Sequence, residues 1–191
     1  MRIICVNTGY KFSEWYVQNL KHMIDTYSGL KYDSFEVIRD NNYEGVFNKL
    51  QMFEYFKDGE NLYFDLDIVI KDKVPNLIRK EFTVLHAWWR EEFHTPLNSS
   101  VISWTGDQSH IFKKFKENPD YYMTKYYRGI DQYLYENIEY KTYDKICYSI
   151  QNNELKEEDK NYSICLFNQR KMLMEDGWCG WWKKYFIPYT P

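Results

Sequence analysis

Asp65 and Asp67 stand one residue apart in the run Asn61-Leu-Tyr-Phe-Asp-Leu-Asp-Ile-Val-Ile70, two carboxylates in an otherwise apolar segment. The run reads as a buried β-strand. Strand side chains alternate, so residues two apart share a face, with Cα atoms at most about 7 Å apart. Like charges in apolar surroundings are costly unless something cationic compensates them. A divalent metal suits the task, because hard cations prefer clustered carboxylate oxygens. The competing reading is two solvated acids at an exposed strand end.

Several cations could add to such a site. Lys49 can add a positive charge or pair with Glu44 or Glu54. Lys125 and Arg128 lie in a basic turn, and Arg170 with Lys171 follows the last strand-like run. His22, His86, His94 and His110 show no H-E-x-x-H or paired-ligand spacing, which points to structural or incidental roles. No P-loop, G-x-G-x-x-G or G-x-S-x-G motif is present, which removes the commonest NTPase, dinucleotide and hydrolase readings.

Composition narrows the field. The chain has 191 residues, the size of one domain with a sizeable core. Its formal net charge of -3 argues against a nucleic-acid partner. Cys5, Cys147, Cys165 and Cys179 lack C-x-x-C spacing and suit a reduced, cytoplasmic compartment. Met1 to Val6 is too short an apolar run for a signal peptide. No run reaches the roughly 20 apolar residues of a membrane span. The aromatic end, Gly177-Trp-Cys-Gly-Trp-Trp-Lys-Lys-Tyr-Phe186, can pack on the domain, cover a site or touch a membrane surface.

The elements that must position these residues follow a β-α-β-α-β order. Strands are expected over 1–7, 34–38 and 61–70. Helices are expected over 14–27, capped by Ser13, and over 45–56. This order predicts an α/β fold with ligands at the strand C-terminal ends. Further on, a helical turn is expected over 74–78 and strands over 82–89 and 99–104. Asp107 is expected to cap a helix over 108–117, ended by Asn118-Pro119. A helix over 130–137, a polar loop over 151–160 and a last strand over 164–167 complete the reading. No linker divides the chain, so 1–191 reads as a single domain.

In this order the motifs become specific: Val6-Asn-Thr-Gly-Tyr-Lys-Phe-Ser13, Asn48-Lys49-Leu50, Tyr63-Phe-Asp-Leu-Asp67, Asn98-Ser-Ser-Val-Ile102 and Gly129-Ile-Asp-Gln132. The series resembles GT-A-fold glycosyltransferases, especially the glycogenin and lipopolysaccharide-galactosyltransferase-like group with its small bacterial and phage relatives. The resemblance runs from Arg2 to about Trp182. It implies a Rossmann-like mixed sheet flanked by helices, with residues 161–191 closing over the site. It also implies a metal-dependent transfer of sugar from a nucleotide sugar, UDP-sugar being favoured, to a glycan, lipid or protein acceptor.

Roles carry over residue by residue. Asp67 resembles the principal metal ligand, and Asp65 the residue shared between metal and ribose, with Mn²⁺ or Mg²⁺ as the ion. Tyr10 and Phe12 sit where an aromatic meets the base. Asp40 resembles the acid that reads the base edge, and Lys49 the basic residue supporting ribose or diphosphate. Asn98 and Ser99 match the segment facing the donor sugar, and Asp131 and Gln132 the pair near the reacting carbon.

There are two departures. Asn168 stands where a third metal ligand, a histidine, is expected, and Tyr133 replaces the third acid of D-Q-D. An amide oxygen can coordinate a hard cation but is neutral and weaker. A second reading is therefore a catalytically weakened relative that binds nucleotide or glycan. A phosphotransferase or nuclease would need further acidic ligands at other strand ends.

Overall fold

The computed structural model describes residues 1–9, 11–90, 94–150, 158–168, 174 and 180–188. Its central sheet has six strands in the order β2-β1-β3-β6-β5-β7. These are β1 (Arg2–Val6), β2 (Ser34–Ile38), β3 (Glu60–Phe64), β5 (Thr83–His86), β6 (Leu97–Thr105) and β7 (Lys141–Tyr143). β1 pairs in parallel with β2 and β3, and β5 with β7, while β6 runs antiparallel between β3 and β5. A second sheet holds β4 (Ile68–Ile70), β9 (Ile164–Leu166) and β8 (Cys147–Ser149) in that order.

Period-two alternation divides the core between the two faces of the central sheet. Ile3, Cys5, Leu62 and Phe64 join one apolar cluster with Trp15, Leu20 and the small sheet. Ile4, Tyr63, Ile102 and Trp104 join the other, with Phe53, Phe115 and Tyr133. The helix α1 (Glu14–Met23) covers the first face and widens into a π turn at Ile24–Ser28, where Ser28 Oγ donates to the Ile24 carbonyl. Ser13 does occupy its N-cap position, though its side chain makes no capping bond. The second face is covered by a 3-10 turn (Gly45–Gln51), α2 (Met52–Tyr55), α3 (His110–Lys116) and α5 (Ile130–Asn137).

Several expectations need correction. The run 61–70 is two strands in two sheets. The Asp65 N–H bonds the Ser100 carbonyl at 2.9 Å, and the chain then crosses to pair Ile68 with Leu166. The carboxylates sit in that crossing. Residues 74–78 form no helical turn: Val74 N–H bonds the Ser28 carbonyl, and the buried Leu77 takes a hydrogen bond from the Tyr143 hydroxyl. Pro75 also disfavours helical geometry in the residue before it. Asn118-Pro119 ends α3 and also opens a further helix, α4 (Pro119–Lys125), with Asn118 Oδ1 accepting from Tyr121 N–H. Pro at the first helical position costs no hydrogen bond. Ser109 rather than Asp107 is the N-cap of α3, with no side-chain capping bond, and Asp107 Oδ1 accepts from Ser109 N–H at 2.7 Å in the turn before it. The short strands β7 and β8 were not foreseen. Residues 151–157 of the polar loop lie outside the described residues.

The segment Trp181–Tyr185 forms a 3-10 turn. A Cβ at Gly180 would stand 2.2 Å from the Trp182 ring, so only glycine fits there. Trp182 is buried against Phe167. Trp15 Nε1 donates to the Pro188 carbonyl at 3.1 Å, and Ile187 N–H to Asn19 Oδ1 at 3.2 Å, strapping the segment along α1. Among the described residues, no helix is long and apolar enough to cross a membrane.

Glu158 ties this strap to the small sheet through Lys184 at 2.8 Å, the Tyr185 hydroxyl at 2.7 Å and Lys71 at 3.4 Å. Burial pushes the Glu158 carboxyl up, but hydrogen bonds from Lys184 and Tyr185 and the charge of Lys71 outweigh it and hold it at about 2. The folded value lies below the ordinary 4.5. Its stabilisation is therefore present above that value and lost as pH falls toward 2. Acid titration of tryptophan fluorescence should show the wild-type strap loosening across this window. Glu158→Gln should lack that component, and identical titrations would contradict the clamp.

Candidate active site

The carboxyl ends of β1 and β3, the loop after β2 and the start of β6 border one cavity of about 1090 Å³. A cavity at this edge is where open α/β sheets bind ligands. Its lining includes Phe12, Lys49, Asp65, Asp67, Asn98, Ser99, Asp131, Gln132 and Asn168. Nine of the residues singled out from sequence are thus brought together. Tyr10 lies outside the described residues, as do Arg170, Lys171 and Trp178.

Asp40 does not line the cavity. It is exposed, its Oδ2 accepts from the Tyr55 hydroxyl at 2.8 Å, and its carbonyl accepts from Gln51 Nε2 at 3.0 Å. These bonds turn it toward the 3-10 turn and α2, and Asn41 faces the cavity in its stead. Asn48 Nδ2 donates to Asn41 Oδ1 at 3.0 Å, and Asn48 Oδ1 accepts from Tyr43 N–H at 2.9 Å. That network fixes the floor of this end of the cavity.

Lys49 supplies the compensating cation for Asp65. Its Nζ stands 2.5 Å from Asp65 Oδ1, 3.4 Å from Ser99 Oγ and 5.3 Å from the centre of the Tyr63 ring. The expected alternatives, Glu44 and Glu54, are not its partners, and Glu54 pairs with Lys57 instead. The Tyr63 hydroxyl also donates to Asp65 Oδ1, at 2.5 Å. Burial, and then the charge of Asp65, hold that hydroxyl well above its ordinary range, so it remains a donor.

Asp131 opens α5, and both of its oxygens are engaged. Oδ2 pairs with Arg90 at 2.7 Å, and Oδ1 accepts from Ser99 N–H at 3.0 Å. Gln132 is exposed, and its Nε2 donates to Glu136 at 2.8 Å. Tyr133 points into the core, fully buried, its hydroxyl donating to the Ile111 carbonyl at 2.8 Å. The position where a third acid was missed does not face the cavity.

Sequence reasoning missed Arg90, Trp89 and Asn41 as cavity residues, and set aside His94, which also lines it. Arg128 lines it too, whereas Lys125 pairs with Glu136 at 2.9 Å on the surface. None of the described residues 180–188 borders the cavity; of the expected closing segment, Asn168 does.

The donor set fits a hard divalent cation. Both contacts to Asp65 fall on Oδ1, Asp67 borders the same space, and Asn168 donates its Nδ2 to Ser149 Oγ, which leaves its amide oxygen as a donor atom. Oxygen donors of this kind suit Mg²⁺ or Mn²⁺. Among the described residues there is no group of three or more His, Cys, Asp and Glu side chains that could hold a metal. A third protein ligand would therefore be the neutral amide. Asn168 has φ 46°, a left-handed conformation that Asn and His tolerate better than most residues. Asn168→His should consequently fold and tighten Mn²⁺ binding to the nucleotide-free protein, measured by calorimetry. Unchanged Mn²⁺ affinity would remove residue 168 from the coordination sphere.

No family model and no curated protein matches the sequence. Solved structures do match its fold. One is a glycosyltransferase involved in glycosylation of the major capsid of PBCV-1, at TM-score 0.64 and 14% identity, covering 90% of this chain and 95% of that one. The apo-form glycosyltransferase GlyE of Streptococcus pneumoniae TIGR4 matches at TM-score 0.68 and 10% identity, over 96% of this chain, which spans 59% of GlyE. The galactosyltransferase LgtC, solved with donor and acceptor sugar analogs, matches at TM-score 0.56 and 10% identity, over 97% and 94%. The chain has the GT-A glycosyltransferase fold that its motif order implied.

Proposed function

We propose that the protein is a metal-dependent glycosyltransferase that takes a nucleotide sugar, with a UDP-sugar favoured, and passes the sugar to a glycan, lipid or protein acceptor. The observation that carries this reading is the convergence of Asp65, Asp67, Asn168, Lys49 and Asp131 on one cavity at the carboxyl edge of the sheet. Asp65, Asp67 and Asn168 would hold Mn²⁺ or Mg²⁺, which when bound supplies Lewis-acid stabilisation of the leaving diphosphate.

The chain's own residues do the rest. Lys49 holds Asp65 in place and puts a second positive charge beside the diphosphate. Phe12 and Asn41 border the end of the cavity assigned to the base. Asn98 and Ser99 open β6 opposite Asp131, and together these three form the wall assigned to the transferred sugar. Asp131 has two donors from the protein and lone pairs left for sugar hydroxyls. Bringing donor and acceptor together in one cavity supplies much of the rate by orientation.

A second reading keeps the binding and drops the turnover, and the neutral third ligand Asn168 favours it. Incubation with UDP-glucose, UDP-galactose and UDP-N-acetylglucosamine in Mn²⁺, followed for UDP release, separates the two. Slow release from one donor, accelerated by an acceptor, supports transfer. Tight binding with no release from any donor supports the binding protein.

A further inference from the structure

We propose that Arg90 is a positioning residue that holds Asp131 where its carboxylate receives hydroxyls of the transferred sugar. The inference rests on the nucleotide-sugar reading above and identifies what orients its sugar contact.

The geometry is specific. Asp131 lies in the first turn of α5, where a carboxylate readily bonds the free N–H groups of its own helix. Here it reaches across to other elements instead. Arg90 Nη2 meets Oδ2 at 2.7 Å, and the Ser99 N–H meets Oδ1 at 3.0 Å. Donors from two separate elements fix the plane of the carboxylate. Each of its oxygens keeps a lone pair for a ligand.

Arg90 is itself immobilised. Its backbone N–H bonds the Ala87 carbonyl at 2.9 Å. Its Nη1 donates to the Leu97 carbonyl at 2.7 Å and the Thr95 carbonyl at 3.2 Å. One planar guanidinium therefore spans the start of β6 and the start of α5, which a lysine with a single nitrogen cannot reproduce in full. Arg90 and Asp131 are each about four-fifths buried and both line the cavity. An ion pair so placed fixes orientation at a site where small displacements cost rate.

The test is calorimetry in Mn²⁺ with UDP and with whichever of UDP-glucose, UDP-galactose and UDP-N-acetylglucosamine binds tightest. Wild type is compared with Arg90→Met, Arg90→Lys, Asp131→Asn and the Arg90→Met/Asp131→Asn double variant. Arg90→Met should weaken the UDP-sugar about tenfold, the scale of a lost hydrogen bond to a charged group. UDP itself should be held within about twofold. Arg90→Lys should recover part of the loss. The double variant should bind no worse than Asp131→Asn alone, because Arg90 acts through that carboxylate. Equal loss for UDP and UDP-sugar, or single losses that multiply in the double variant, would overturn the proposal while leaving the nucleotide-sugar reading intact. Wild type binding none of these nucleotides would overturn both. If Arg90→Met fails to fold, Arg90→Lys carries the same comparison, and full retention of UDP-sugar affinity in it would overturn the role of the planar fork.

Discussion

Asp67→Ala is expected to abolish Mn²⁺-dependent UDP binding, a loss of at least about 100-fold, or roughly 3 kcal/mol. Asp65 is already committed on Oδ1 to Lys49 and the Tyr63 hydroxyl. Asn168 brings no charge. Asp67 supplies the second full negative charge beside that cavity. Alanine leaves one shared carboxylate and one amide, too little for a hard cation to give up its water. The check is isothermal calorimetry with UDP and Mn²⁺ on folded Asp67→Ala. An affinity within threefold of wild type would remove Asp67 from the metal site.

Tyr133→Asp gives the largest expected effect on stability. The substitution would restore the acid of the D-Q-D pattern, so a reading from motif alone expects a gain of function. The structure leads to the opposite expectation. Tyr133 is fully buried and packs against Phe115, Tyr122 and Tyr126 at centroid distances of 6.0, 5.2 and 5.8 Å. Removing a buried aromatic costs about 3–5 kcal/mol. The new carboxylate would stand among apolar rings, which adds a further penalty. Against a typical stability of roughly 5–15 kcal/mol, the variant should be largely unfolded or strongly weakened. Urea denaturation followed by tryptophan fluorescence measures this. A midpoint equal to wild type, or increased sugar release, would show that position 133 reaches the cavity.

Sequence picked out the residues that line the cavity better than the elements that carry them. Asp65 and Asp67 were legible because two acids in an apolar run need a cation. Their presence on one cavity follows from a chain crossing between sheets, not from a continuous strand. That crossing depends on the Ser100 carbonyl and on Leu166, both distant in sequence. Asp40 was the residue named for the base edge, whereas Asn41 is the one that borders the cavity. Tyr55 and Gln51 decide between them by drawing Asp40 away. Arg90 directly follows the run read as a strand over 82–89 and was given no role, and its partner lies 41 residues further on. Local pattern carries no information on such a pairing. Asn118-Pro119 was read as a stop because the same dipeptide both ends one helix and caps the next. The helix at 130–137 was read with its observed bounds, Gly129 standing at its N-cap with φ 127°.

The central claim is that this cavity binds a nucleoside diphosphate together with a divalent ion. Calorimetric titration of the intact wild-type protein with UDP, GDP and CDP, in Mn²⁺ and in EDTA, tests it most directly. The account predicts UDP binding in Mn²⁺ that EDTA weakens at least tenfold. UDP affinity identical in Mn²⁺ and EDTA, or no binding of any of the three in Mn²⁺, would contradict it.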